Sequence, residues 1–147
     1  MNNNFDFCPK CGSKKIISVK RECKNETVFV TEFADRNISP LKWNCPECGF
    51  TLYCNVATAS GVIISDSENN VLFEVRGKEP QKGFLAIPGG FTDADETVEE
   101  GGIRECREEI GLELSHEDIT YIGSFPNTSA YKGITYKTCD FFFMAKI

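Results

Sequence analysis

The chain has 147 residues, of which 41% are hydrophobic and 26% charged, and its formal net charge is −6. This is enough apolar material to bury the core of one domain, or of one domain with a small module. No run approaches the roughly 18 apolar residues of a membrane span, and the start, MNNNFDF, lacks the basic and apolar segments of a signal peptide. We therefore expect a cytoplasmic protein that does not associate with membranes.

Charge is divided unevenly along the chain. Residues 1–55 carry a net charge of +2 and residues 56–147 a net charge of −8. The acidic part would repel the phosphate backbone of a nucleic acid. This favours a small phosphorylated substrate, or a nucleic-acid end, and duplex nucleic acid is not expected as a partner.

The first predicted element is a pair of cysteine motifs. The pattern C-P-x-C-G occurs at 8–12 and at 45–49, with 33 residues between Cys11 and Cys45. In a cytoplasmic chain such pairs indicate metal ligation rather than disulfides, and a redox C-x-x-C normally occurs once. Thiolates suit zinc, and a structural zinc site is closed by four protein ligands. The predicted zinc ligands are Cys8, Cys11, Cys45 and Cys48.

Residues 1–55 are therefore predicted to form a small β zinc-ribbon module, with strands at 15–19 and 27–33. So short a module has little core, and zinc binding worth on the order of 10 kcal/mol would stabilise it. Cys23 and Cys54 are left over. They are interpreted, like Cys106 and Cys139, as small, mostly buried side chains; the alternative for Cys54, six residues after Cys48, is that it competes as a zinc ligand.

Residues 56–147 are predicted to form one α+β domain, with one long helix on a mixed sheet. The first two strands are joined by a turn at 66–70 as a hairpin, and Pro88–Gly90 is predicted as a turn whose glycines let the backbone approach a metal or phosphate. His116 is interpreted as a surface residue. The strands are predicted at 57–65, 71–76, 84–87, 119–125 and 134–145.

The helix is predicted at 98–110. Thr97 and Glu100 form a capping box, and Gly111 makes a plausible helix end. Gly101 and Gly102 inside the helix each cost about 1 kcal/mol relative to alanine. We interpret Gly102 as permitting close packing.

Three carboxylates crowd one side of this helix. Glu105, Glu108 and Glu109 fall within about 100° of one another, and the stretch 93–118 holds eleven Asp or Glu residues against two Arg. Such a cluster needs a cation, and oxygen ligands select magnesium or manganese over zinc. The alternative is a solvated acidic helix face. Arg104 is predicted to orient carboxylates by pairing with Glu108 or Glu96.

The segment 90–112 reads glycine, five residues, Glu96, seven residues and then RECREEIGL. It resembles the Nudix box, with Cys106 at the apolar position. The resemblance implies an α/β/α Nudix fold in which Glu105, Glu108 and Glu109 hold magnesium with the Gly90 carbonyl. It also implies that a metal-polarised water attacks phosphorus.

A ribbon before such a domain resembles the zinc-ribbon Nudix hydrolases, the group that contains the NADH pyrophosphatases. The resemblance implies hydrolysis of the pyrophosphate bond in a nucleoside diphosphate linked to another moiety. The segment 124–130 keeps only the first serine and proline of that group's Ser-Gln-Pro-Trp-Pro-Phe-Pro motif, so NADH, ADP-ribose and sugar nucleotides stay open as substrates. The alternatives are a hydrolase of nucleoside triphosphates or capped RNA ends, and a non-enzymatic binding or sensor protein.

The predicted substrate contacts are Gly89, Gly90, Phe91 and Tyr131. Aromatic rings can stack a base, although for Phe125 and Tyr136 the core is the favoured location. The chain ends inside an apolar strand, whereas a Nudix domain usually continues through a second helix. We expect that the C-terminal part of the fold is absent or that the domain is unusually short, and that turnover is weak; a homodimer stays open.

Overall fold

The computed structural model describes residues 5–19, 42–53, 55–79, 81–131 and 134–147, without the side chains of residues 131 and 134–136. The chain divides into two compact units, Met1–Asn55 and Val56–Ile147. The predicted strand at 27–33 lies outside the described residues, as do Cys23 and Cys54. In the part of the chain described, no helix is both long and apolar enough to cross a membrane.

The first unit contains a three-stranded antiparallel sheet. Its strands are β1 (Ile17–Val19), β2 (Lys42–Asn44) and β3 (Thr51–Tyr53), with β2 in the middle. On β2, Trp43 is only 3% exposed and meets the Phe5 ring edge-on, with the ring centroids 4.9 Å apart. Among the described residues of this unit, Trp43 is therefore the one large apolar side chain that is buried.

The second unit is built on a four-stranded sheet. In this sheet β4 (Ala57–Ser65) and β9 (Ile134–Lys146) run parallel, while the outer strands β7 (Gly89–Phe91) and β8 (Ile119–Tyr131) pair antiparallel to them, in the order β7-β4-β9-β8. The helix α1 (Val98–Ile110) packs on β4, β7 and β9. The predicted α+β class, with a mixed sheet and one long helix, is confirmed. The elements are β4 (Ala57–Ser65), β5 (Glu74–Val75), β6 (Leu85–Ala86), β7 (Gly89–Phe91), α1 (Val98–Ile110), a 3-10 turn (His116–Asp118), β8 (Ile119–Tyr131) and β9 (Ile134–Lys146).

The core of this unit lies between α1 and the sheet. Cys106 is fully buried among the side chains of β4 and β9, including Val62 and Phe143. Gly102 is also buried, and a Cβ added to it would lie 3.1 Å from Val62 Cγ2. The interpretation of Gly102 as a close-packing residue is confirmed, since a side chain there would separate α1 from β4.

The predicted hairpin of 57–65 with 71–76 is wrong in its second half. Asp66 accepts backbone N–H bonds from Glu68 and Asn70 and so forms the predicted turn, but the returning chain meets β4 at a single Ser65–Val71 bridge. β5 pairs with β6 instead. The reason is that β9 pairs along one side of β4, while β7 pairs with residues 59–61 on the other side, where the rest of the predicted hairpin strand would have to lie.

The predicted turn at Pro88–Gly90 is also corrected, because Gly89–Phe91 is the edge strand β7. A Cβ on Gly89 would lie 2.3 Å from the Ser60 carbonyl oxygen, so glycine is what allows this strand to approach β4. The backbone of Gly89–Phe91 is therefore held by the sheet.

The last two strands are longer than predicted, at 13 residues each.

The predicted helix bounds are confirmed, together with their signals. Thr97 Oγ1 accepts the Glu100 N–H, and Glu100 Oε2 accepts the Thr97 N–H at 2.7 Å. At the other end Gly111 adopts φ 69° and donates its N–H to the Arg107 carbonyl. Local chemistry thus fixes both ends of the helix that carries the carboxylates.

We predict that Gly111→Ala lowers the free energy of unfolding by about 1 kcal/mol, because an L side chain is strained in the left-handed region. Gly77→Ala is the matched control, since a Cβ there meets nothing within 4 Å and its φ is not left-handed. Urea unfolding of both variants measures the difference. Equal midpoints for the two variants would contradict the C-cap assignment.

Candidate active site

The helix carboxylates lie against the glycine strand. Glu109 Oε2 accepts the Gly89 N–H at 2.9 Å. A Cβ on Gly90 would lie 2.4 Å from Glu105 Oε1, so the Gly90 backbone sits directly beside that carboxylate. The fold therefore brings together the two parts of the motif that the sequence separates by 15 residues or more.

Arg104 connects the acidic residues around it. It donates two N–H groups to Glu96, at 2.7 and 3.0 Å, and one to Glu105 at 2.8 Å. It also lies 3.3 Å from Glu108 and donates to the Phe91 carbonyl at 3.1 Å. Both pairings expected from the sequence are present. Bidentate, charge-assisted bonds fix orientation, so Arg104 sets the positions of its carboxylate neighbours.

The pKa values of two box carboxyls are raised. Burial is the main cause for Glu105 and outweighs the lowering effect of Arg104, while Glu109 and Glu108 raise it further. Burial also raises the pKa of Glu109, against the lowering effect of the Gly89 N–H. Partly desolvated carboxylates that repel one another favour a bound cation.

We predict that the Glu96 carboxyl titrates with a pKa of about 2, because it accepts hydrogen bonds from Arg104 and from the Asp93 N–H. Since the folded-state pKa lies below the ordinary 4.5, this ion pair stabilises the fold above pH 4.5 and is lost as pH falls through about 2. Carboxyl-carbon NMR measures the midpoint, and Arg104→Gln should raise it. A wild-type midpoint near 4.5 would contradict the ion pair.

A cleft of about 460 Å³ borders the glycine strand. Gly89, Gly90 and Phe91 line it, and Phe91 is 45% exposed. The Tyr131 side chain, also predicted as a substrate contact, lies outside the described residues, as does that of Tyr136. A volume of this size is typical of sites for small molecules.

The core location predicted for Phe125 is wrong. It is 56% exposed on the edge strand β8, where its ring lies 5.9 Å from that of Phe142. Sequence reasoning missed the cleft residues on β8 and β9, among them Asn127, Asp140 and Phe142. The alternation along β9 is the signal that could have found Asp140 and Phe142, since every second residue shares one face of a strand.

The four motif cysteines lie together in the first unit. Their sulfur atoms are all within 4.8 Å of one another, so they could hold a metal ion. Gly12 and Gly49 adopt φ values of 72° and 70°, and the two motifs repeat the same backbone hydrogen bonds. Burial raises the pKa of the Cys8 thiol, but the N–H groups of Cys11 and Lys10 outweigh it and lower the pKa to about 7. This favours the thiolate form at Cys8, and thiolates bind metals. At Cys11 the backbone hydrogen bond with Ser13 lowers the pKa of the thiol, but the neighbouring sulfurs and burial outweigh it and raise the pKa.

The other two described cysteines and the histidine are not part of a cluster that could bind a metal ion. Burial raises the pKa of Cys106 to about 11, so its thiol stays protonated and inert, and Cys139 is half-buried. His116 is exposed, as predicted. None of these three residues belongs to the cysteine cluster.

A sequence profile of the NUDIX domain matches residues 56–145, more than half of the chain. The chain belongs to the Nudix family. The solved structure of a NUDIX hydrolase from Nitrosomonas europaea covers 95% of this Nudix chain, with a TM-score of 0.58 and 24% identity, and the match spans 66% of that chain. A MutT/nudix family protein from Enterococcus faecalis covers 65%, with a TM-score of 0.57 and 24% identity over 38% of that chain. Both similarities concern the fold.

The relatives of this Nudix chain are named for several different substrates. An ADP-ribose pyrophosphatase of Methanocaldococcus jannaschii is 44% identical over 78 residues, which is 53% of this chain and 46% of the relative. The NAD(P)H pyrophosphatase NUDT13 of Mus musculus is 35% identical over 98 residues, covering 64% and 27%. The NAD-capped RNA hydrolase NudC of Pseudomonas aeruginosa is 32% identical over 80 residues, covering 54% and 27%. The matches thus span less than half the length of these curated relatives.

Proposed function

We propose that this Nudix protein hydrolyses the diphosphate linkage of a nucleoside diphosphate joined to another moiety, of the NADH, ADP-ribose or sugar-nucleotide type. The observation that carries the proposal is the packing of the Glu105 and Glu109 carboxylates against Gly89 and Gly90, at the border of a cleft of nucleotide size. Relatives named ADP-ribose pyrophosphatase and NAD(P)H pyrophosphatase support it. The proposal places the reaction in the cytoplasm.

Glu105, Glu108 and Glu109, with the Gly90 carbonyl, would hold magnesium or manganese. The donor set fits in kind, because it offers only oxygen atoms and its carboxylates repel one another. Among the described residues only the four cysteines converge as a ready metal site, so the glutamates would have to draw together around the ion. When bound, such ions polarise water and neutralise charge on the leaving phosphate. Arg104 holds Glu105 and Glu96 in place through its bonds of 2.7–3.0 Å, so the ligands stay oriented while a substrate binds.

The four cysteines would hold a structural zinc ion. A tetrahedral site with bonds of about 2.3 Å has sulfur–sulfur edges of about 3.8 Å. The sulfurs of Cys8 and Cys48 are 3.7 Å apart, as are those of Cys11 and Cys45. Four protein thiolates leave no open position, so this metal would serve folding rather than catalysis.

A substrate panel tests the proposed reaction. The protein is incubated with magnesium and NADH, ADP-ribose or UDP-glucose, and the released nucleoside monophosphate is quantified by chromatography. We expect AMP or UMP from at least one substrate and none when magnesium is withheld. Release from nucleoside triphosphates alone, or from no substrate, would overturn the assignment.

Cleavage of NAD-capped RNA ends is a second candidate. The Pseudomonas relative, which matches this chain at 32% identity, is named for that activity. The same diphosphate bond would be cut, with RNA in place of a small leaving group. NAD-capped RNA added to the panel separates the two, since this candidate requires faster turnover of the RNA than of free NADH.

A further inference from the structure

The cleft contains a carboxylate on β9 that is only partly hydrogen-bonded. Asp140 of β9 lines the same cleft as Gly89 and Gly90. Its Oδ2 accepts the Asn127 side-chain N–H at 2.6 Å, whereas Oδ1 is buried and has no hydrogen-bond partner among the described residues. Thr138 Oγ1, on a residue only 3% exposed that lines the same cleft, is also unpaired within the described chain. Such atoms cost free energy unless a water molecule or a ligand group bonds them.

The chemistry of these atoms selects the kind of group that would bind. An ionised carboxylate only accepts hydrogen bonds, so its complement is an N–H or O–H donor. Phe91 and Phe142 line the same cleft and provide aromatic surface for a flat ring. A planar ring that carries an amino group, such as adenine, meets both conditions. Hypoxanthine, which presents a carbonyl oxygen in place of that amino group, would repel the carboxylate.

We propose that Asp140 determines specificity by accepting a hydrogen bond from the exocyclic amino group of the substrate's ring. This inference rests on the proposed function, because one cleft would hold both the ring and the diphosphate. Oδ1 is shielded from solvent in this structure, so a neighbouring side chain must move for the ring to reach it. Asn127 is exposed and bonded to the other oxygen of the same carboxylate, so the proposal requires that its side chain turn outward.

Calorimetric binding of AMP and of IMP, which differ at this amino group, tests the inference without any turnover. We expect wild-type protein to bind AMP about tenfold more tightly than IMP, as one hydrogen bond to a charged acceptor allows. In Asp140→Asn, which can donate as well as accept, the ratio should fall to about one or reverse. Glu117→Gln removes an exposed carboxylate elsewhere in the unit and should keep the wild-type ratio.

Equal binding of AMP and IMP by the wild type, no binding of either, or an unchanged ratio in Asp140→Asn would each overturn the inference. The wild-type comparison needs no variant, so it stands even if Asp140→Asn does not fold. The proposed function can be refuted independently of this inference. A protein that selects AMP through Asp140 but cleaves no diphosphate would keep the inference and refute the reaction, and the reverse result would refute only the inference.

Discussion

Replacing Glu109 by glutamine, or Glu108 by glutamine, is expected to lower turnover by at least about a hundredfold. Each change removes one negative charge from the cluster that would hold magnesium. Glu109 Oε2 also accepts the Gly89 N–H, so its carboxylate links the helix to the glycine strand. Steady-state release of nucleoside monophosphate from the substrate that the panel identifies measures the loss.

Measuring the stability of Glu109→Gln shows whether the variant loses activity because a metal ligand is missing or because the fold is damaged. Burial raises the pKa of Glu109, so its charged form destabilises the folded protein at neutral pH and glutamine relieves that cost. In metal-free buffer at pH 7 the variant should unfold at the wild-type urea concentration or a higher one. Glu113→Gln, an exposed carboxyl just beyond the helix, serves as the activity control. Wild-type activity in both Glu108→Gln and Glu109→Gln would mean that the box is not the catalytic centre.

Removing the metal that the four cysteines would hold should unfold the first unit. Zinc binding contributes on the order of 10 kcal/mol to such modules, and among the described residues of this unit Trp43 is the one large apolar side chain that is buried. Trp43 is the only tryptophan in the chain and is 3% exposed, so its fluorescence reports on this unit. We expect a strong red shift of its emission on chelation, and in Cys8→Ser without a chelator.

Cys139→Ser is the matched control for the cysteine series. Cys139 lies on β9 in the second unit and is not one of the four clustered cysteines. Its replacement should leave the Trp43 emission and the bound-metal content unchanged. If elemental analysis proves the metal removed while the emission stays the same, the metal does not hold this unit together.

The parts of the fold that local chemistry fixes were predictable from the sequence. The helix bounds follow from Thr97, Glu100 and Gly111, which act within one turn of the helix ends. The partner of the strand after the 66–70 turn was not predictable in this way. Its pairing depends on which neighbours β4 has already acquired, and those are β7 and β9, from distant parts of the chain.

In the candidate site, too, the residues with short spacings were predictable and those brought together by strand pairing were not. The box glutamates and the paired cysteines share short spacings, so the sequence alone groups them. Asn127 and Asp140 are 13 residues apart and meet only because β8 pairs with β9 in one register. Phe125 was misplaced because its burial depends on what covers the edge strand β8 and not on its own hydrophobicity.

The most direct test of the account is hydrolysis in oxygen-18-labelled water, with the products analysed by mass spectrometry. Attack of water on phosphorus places one labelled oxygen in the phosphate of a single product, either the nucleoside monophosphate or its partner. We expect that label with magnesium, and expect the yield of labelled product in a fixed time to fall at least about a hundredfold in Glu108→Gln and Glu109→Gln. Label in a sugar hydroxyl, or unlabelled phosphates after complete turnover, would contradict the account.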